Sequence, residues 1–352
     1  MIKLIVFFNA FVFSILAFFS APKTEKSDAP MPMCNPNGIN TWTSSILFPT
    51  FPSAKAVPSV FETVAGKNYS MPLLTKTPKD EILLSWTEKI GQDTTVFCFS
   101  TSKDKGKTFS AAKTIYAGTG IGNSRLMRAK VLAKKDGSLV AVFFNRADAP
   151  KGNAQGGRGR GGRSGEIVYC VSKDNGLTWT TPQSVDSDPT KGIMRGFFDA
   201  VLMANDEIAV AYLKDVKGST KHEERDLRLV TTKNGVFQPE KLIDPVVCDC
   251  CNINLLVDAN GALNVYYRDN NDDIRDIARM TSADFGETFS KSQIVYPDGW
   301  KIRGCPHNGA VSSVQGKSAL IAWYSGAETA SGIRLVTQEG KKLLVLNEPT
   351  VK

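Results

Sequence analysis

The sequence predicts an all-β fold made of repeated small antiparallel sheets, a β-propeller or another repeat array. Two observations carry this. The stretch Ser102-Lys-Asp104-Lys-Gly106-Lys-Thr108-Phe109 returns at Ser172–Trp179 and at Ser282–Phe289, in the shared form Ser-x-Asp-x-Gly-x-Thr-aromatic. A short apolar run also recurs, beginning at Ile82, Leu139, Ile208, Leu263 and Ala319, at spacings of 55 to 69 residues.

Each element has a physical reason. In the turn motif, Gly supplies the positive φ of a tight turn, Asp bonds nearby backbone amides, and the aromatic tucks beneath. A worn copy is expected at Thr232-Lys-Asn234-Gly235-Val-Phe237. Each unit then reads as an inner strand, the apolar strand, a third strand entering the turn motif, and a last strand. Such a sheet buries its faces only against its neighbours.

In chain order, residues 1–21 carry Lys3, an apolar run to Phe19, and then Ser20, Ala21 and Pro22. This reads as a secretory signal peptide, which predicts a secreted or periplasmic protein with no stable membrane insertion after cleavage; the competing reading is an uncleaved N-terminal anchor, since the apolar run approaches the roughly 20 residues needed to span a bilayer. Residues 22–41 read as a flexible leader rich in Pro, Lys, Ser and Asn, and 42–352 as one domain. The apolar pieces of 42–68 are candidates for outer strands that close the array. The second unit is long because of an insertion from Ala147 to Gly165, whose glycine-arginine core cannot pack and should form a loop. The formal net charge of +8 suits an anionic ligand. No basic helix interleaved with aromatics occurs, so nucleic acid is not expected as a partner.

The repeated motif resembles the Asp-box (BNR) repeat of sialidase-like β-propellers, from about Tyr69 to the C-terminus. The resemblance implies a propeller of six four-stranded blades, although five units are visible. It also implies a carbohydrate ligand, possibly acidic, and a glycoside hydrolase that needs no cofactor if the chain is catalytic. Sialidases hold the substrate carboxylate with three arginines, because a guanidinium pairs a carboxylate through two parallel hydrogen bonds. They use a Tyr nucleophile and an Asp acid/base. Asp93 falls where the acid/base is implied, Tyr267 and Tyr324 are candidate nucleophiles, and Arg128, Arg195, Arg268 and Arg303 are candidate carboxylate binders. One departure is plain. The first family arginine sits in an aromatic-Arg-Ile-Pro motif, and the matching stretch here is Tyr69-Ser70-Met71-Pro72. A Ser hydroxyl does not replace a guanidinium.

A second constellation points elsewhere. Cys248-Asp249-Cys250-Cys251 precedes the inner strand of the fourth unit, and Cys305-Pro306-His307 precedes that of the fifth. The same position in adjacent units should bring them close in space. Cys248, Cys250, Cys251, Cys305 and His307 are donors suited to Cu or Zn. The competing expectation is a disulfide from Cys305 to the Cys248–Cys251 cluster, since an exported chain meets an oxidising compartment. Cys98 and Cys170 read as small packing residues. His307 is one of two histidines, the other being His222.

Tyr266-Tyr267-Arg268-Asp269 and Ile274-Arg275-Asp276-Ile277 should pair as a charge ladder on neighbouring strands. With Trp300–Arg303 and the cysteines they make the densest chemical region, so the functional site is expected between units four and five. The function expected first is glycan binding or cleavage. The alternatives are a thiol/His metal-binding protein without hydrolase activity and an interaction scaffold.

Overall fold

The five apolar runs become the second strands of five antiparallel sheets. The computed structural model describes residues 67–347 apart from 92, 123, 147–164, 189–194, 217–224 and 329, all in the unit Val60–Lys352. The expected signal peptide, the leader, the candidate strands up to residue 66, most of the glycine-arginine insertion and His222 lie outside these residues.

The first sheet contains β1 (Asn68–Lys76), β2 (Ile82–Ile90), β3 (Thr94–Ser102) and β4 (Lys113–Gly118). The second contains β5 (Lys130–Ala133), β6 (Leu139–Asn145), β7 (Glu166–Ser172) and β8 (Gln183–Ser184). The third contains β9 (Arg195–Leu202), β10 (Ile208–Asp215), β11 (Arg225–Lys233), β12 (Val236–Phe237) and β13 (Lys241–Val247). The fourth contains β14 (Asn254–Val257), β15 (Leu263–Arg268), β16 (Ile277–Ser282) and β17 (Gln293–Ile294). The fifth contains β18 (Val311–Gln315), β19 (Ser318–Ser325), β20 (Gly332–Thr337) and β21 (Lys342–Asn347). Strands pair in sequence order throughout, except that β12 and β13 both pair with β11. The first strands run beside one another in order, β1 by β5, β5 by β9, β9 by β14 and β14 by β18.

The second strands are largely apolar and buried because both faces are covered. Alternate residues feed two different cores, as the period of two requires. Ala141 and Phe143 of β6 pack with Phe97 and Phe99 of the first sheet. Val140, Val142 and Phe144 pack with Val210 and Tyr212 of the third. Likewise Val265 and Tyr267 of β15 face Ala209 and Ala211, whereas Tyr266 faces Ile321 and Trp323. Cys98 and Cys170 are buried packing residues, as expected, and burial pushes each thiol up to about 11.

The three turn motifs share one hydrogen-bond pattern. Ser102 Oγ donates to Asp104 at 2.8 Å and accepts from Gly106 N at 2.8 Å. Asp104 also accepts from the backbone and hydroxyl of Thr108, at 2.8 and 2.5 Å. These donors hold Asp104 at about 2, and the equivalent set does the same for Asp284. The glycine is needed for space as well as for φ. A Cβ on Gly176, at φ +79°, would lie 2.3 Å from Phe99 of the preceding sheet. The expected worn copy is different: Asn234 and Gly235, at φ 53° and 75°, form the two-residue hairpin between β11 and β12.

Candidate functional site

The site is assembled from two connections. Cys248–Cys251 is the turn that leads from β13 into β14. Cys305–His307 lies on the approach to β18. Gly309 N donates to Asn252 Oδ1 at 2.8 Å, and Asn252 Nδ2 reaches Ala310 O at 3.5 Å. A Cβ at Gly309 would sit 2.0 Å from Asn252 O, so only glycine allows the two backbones this close. His307 itself has φ 53°, a left-handed conformation in which His is more often found than bulky residues.

Arg268 clamps the second connection. Its Nε donates to Asn308 O at 3.0 Å, and its Nη2 donates to Asn308 Oδ1 at 2.6 Å and Tyr324 O at 3.1 Å. Its Nη1 donates to Arg275 O. The guanidinium lies 4.9 Å from the Trp300 ring centroid, and Cys248 N donates to Arg268 O at 3.1 Å. Arg225 braces the first connection. It donates to Asp249 O and Asp215, while its guanidinium covers Phe197, which packs on the cysteines.

The donor atoms of Cys248, Cys250 and Cys251 lie within 4.8 Å of one another, and so do those of Cys250, Cys305 and His307. Cys248 Sγ and Cys251 Sγ lie 3.6 Å apart, and Cys305 Sγ donates to Asp249 Oδ1 at 3.2 Å. The first three thiols are buried, whereas Cys305 and His307 are exposed. Hydrogen bonds from Cys250 and Cys251, with the fully buried Arg275 charge nearby, hold the Cys248 thiol well below its ordinary range. The other two are pushed up, Cys250 by its contacts with the neighbouring thiols and Cys251 by burial. Four thiols and an imidazole this close together suit a soft or borderline cation. All six described cysteines are unbridged, so the expected Cys305 disulfide is not formed.

The residues implied by the sialidase resemblance are dispersed. Asp93 is exposed on the β2–β3 turn of the first sheet. Tyr267 is buried between the third and fourth sheets, with its hydroxyl donating to Asp244 and, at 2.7 Å, accepting from Ser292 Oγ. Tyr324 stacks edge-on against Trp300 at 6.0 Å. Ser70 sits at a β1 bulge, where its carbonyl accepts from Thr87 Oγ1. Arg128 is half-buried before β5, and burial lowers its pKa against the opposing pull of Asp199. Arg195 is buried on Asp186 at 2.5 Å, and the exposed Arg303 meets Asp273 at 3.1 Å. Arg268 and Arg195 therefore hold the fold together, and Tyr267 is a core residue; a guanidinium already spent on buried protein acceptors does not receive a substrate carboxylate. The Arg–Asp ladder is realised in a different form. Asp269 N donates to Asp276 O, and the Asp276 carboxylate accepts from Gly299 N and Trp300 N at 2.9 and 3.1 Å.

Sequence reasoning missed Asn252, Asn308, Gly309, Arg225 and Phe197. One signal was present: an Asn follows each donor segment directly, at 252 and at 308. A third donor group, Asp186, Asp188 and Glu240, also lies within 4.8 Å. Lys214 Nζ already meets all three, at 3.2, 2.7 and 2.7 Å, so its charge is satisfied by protein.

Residues 142–352, more than half of the chain, match the BNR repeat-like domain. A comparison with curated proteins finds no match. Among solved structures the chain is similar to a protein of unknown function from Dyadobacter fermentans, at 16% identity and a TM-score of 0.54, over 82% of this chain and 85% of that one. It is also similar to a Hadza microbial sialidase, at 15% identity and a TM-score of 0.50, over 80% of this chain but only 59% of that one. A third likeness is to an α-L-arabinofuranosidase of Fusarium graminearum bound to an iminosugar inhibitor, at 12% identity and a TM-score of 0.50, over 76% of each chain. At these identities the structures speak for the fold, and the repeat itself speaks for the kinship: the chain belongs to the BNR repeat-like domain family.

Proposed function

We propose that this chain is an exported β-propeller that binds a soft or borderline d10 cation, Cu(I) or Zn(II), through Cys248, Cys250, Cys251, Cys305 and His307. One observation carries the reading. Five such donors, from connections more than fifty residues apart, converge in two sets with every donor atom within 4.8 Å of the others in its set. Packing alone does not call for this, since small apolar residues would fill the same volume without crowding thiols. Export is supported by the apolar residues 1–21, and the propeller by the ordered first strands and the cores between successive sheets.

The test is metal retention by the mature, reduced chain against a chromogenic chelator. Wild type should hold Cu(I) or Zn(II) stoichiometrically, and Cys250→Ser should lose at least a hundredfold in affinity, because Cys250 belongs to both sets. Wild type that loses every ion to a weak chelator would sink the reading.

A carbohydrate reading is favoured by the fold it shares with proteins named as a sialidase and an arabinofuranosidase. Here Asp93 is the proposed acid/base, Tyr324 the nucleophile, and Arg128 and Arg303 the remaining carboxylate binders. Hydrolysis of fluorogenic sialosides and arabinofuranosides should then be lost in Asp93→Asn. No turnover by the wild-type chain removes the hydrolase role.

A further inference from the structure

We propose that the cluster takes two Cu(I) ions, joined by the thiolate of Cys250. This rests on the metal-binding reading above and goes further, to the number and arrangement of ions. The donors do not form one five-membered shell. They form two triads with a single shared member: Cys248, Cys250 and Cys251 on one side, Cys250, Cys305 and His307 on the other. A thiolate sulfur has lone pairs enough to bridge two ions. Three donors per position suit Cu(I), which accepts low coordination by soft ligands, whereas a structural Zn(II) site closes with four.

Burial gives the two positions different roles. The inner triad is wholly buried, and the outer one ends in the exposed Cys305 and His307. An ion arriving from solvent meets the outer triad first. The outer position is therefore the point of exchange and the inner one the store. Charge agrees with two ions. Four ligating thiols give up their protons to solvent, and four thiolates with two Cu(I) leave two negative charges. Arg268, Arg275 and Arg225 bring positive charge around the cluster, partly offset by the buried Asp249, which accepts from Cys305 Sγ, and by Asp273, which lies 3.8 Å from Arg275. A buried charge that is not compensated is strongly unfavourable, and one ion on four thiolates would leave three negative charges. The copper enters as Cu(I) and no electron is transferred.

The experiment is anaerobic titration of the reduced mature chain with Cu(I) supplied as its acetonitrile complex. Native mass spectrometry counts the ions, and copper X-ray absorption reports copper–copper scattering. Wild type should bind two ions with a short copper–copper vector. Cys305→Ser with His307→Ala should retain one ion without that vector; both residues are exposed, so circular dichroism should be unchanged. One ion in wild type, or two without copper–copper scattering, overturns the bridged pair but leaves the metal-binding reading intact. No ion in wild type overturns both. Two ions retained by the double variant also overturns the outer position.

Discussion

Two polar clusters sit beside inner strands of neighbouring sheets, and they treat charge in opposite ways. Before β9 and along β10, Asp186, Asp188 and Glu240 are met by Lys214 and Arg195, so every carboxylate has a protein cation. Before β14 and β18, thiols crowd one another, and the adjacent guanidinium of Arg268 is committed to backbone and amide oxygens. Both clusters have donor sets close enough for a metal. In the second the hydrogen-bond partners of the thiols are one another and, at Cys305, the Asp249 carboxylate rather than a lysine at the centre of the set. Proximity of donor residues is thus a weak criterion, and the partner already present decides.

The comparison breaks first at Lys214. Lys214→Met would leave three carboxylates facing each other, two of them largely buried, at a cost of about 3–5 kcal/mol. Denaturant unfolding should show this fall in stability; a change under 1 kcal/mol would mean that water or Arg195 neutralises the cluster unaided. The thiol cluster should be more sensitive to backbone shape than to charge. Gly309→Ala places a Cβ against Asn252 O, which should force the two connections apart at about 2–3 kcal/mol, within the range for strained sites. Metal retention should fall with it, and unchanged retention would show that the connections are not mutually braced. The smallest effect belongs to the turn motifs, whose residues are mostly exposed. Asp104, Asp174 and Asp284 are held below the usual carboxylate range of about 4 by Thr and Ser donors. A depressed carboxylate contributes stability above its unfolded value and loses it on protonation. Stability should therefore decline as pH falls from about 4 toward 2. Asp284→Ala should flatten part of that slope in a pH series of denaturant melts.

The fold was legible because its signals are local. Ser102 to Thr108 contains every hydrogen-bond partner of its own turn, and the run from Leu139 to Phe144 is apolar at consecutive positions. The cysteine site was half legible. Cys248–Cys251 and Cys305–His307 each precede an inner strand, and a repeat brings equivalent positions together. Arg268 was read as a ligand binder because sequence shows a guanidinium but not its acceptors, Asn308, Arg275 and Tyr324, which come from 7 to 56 residues away. The ion cluster around Lys214 was missed for the same reason, since its carboxylates stand 26 and 28 residues from the lysine. Tyr267 illustrates the converse: its neighbours on β15 already spelled a core strand.

The way the turn motifs dock has a consequence for how the chain comes together in time. The Gly176 turn rests on Phe99 and receives Lys113 Nζ at its Asn175 carbonyl, at 2.6 Å. The Gly286 turn rests on Leu229 and Thr231 and receives Lys241 Nζ at its own carbonyl, at 3.1 Å. In both cases the receiving surface belongs to the sheet made earlier. A ribosome emitting this chain therefore releases each platform before the piece that lands on it. Growth has a direction for these turns, each of which lands on a surface already made, while the other face of each new sheet stays open until the next sheet covers it.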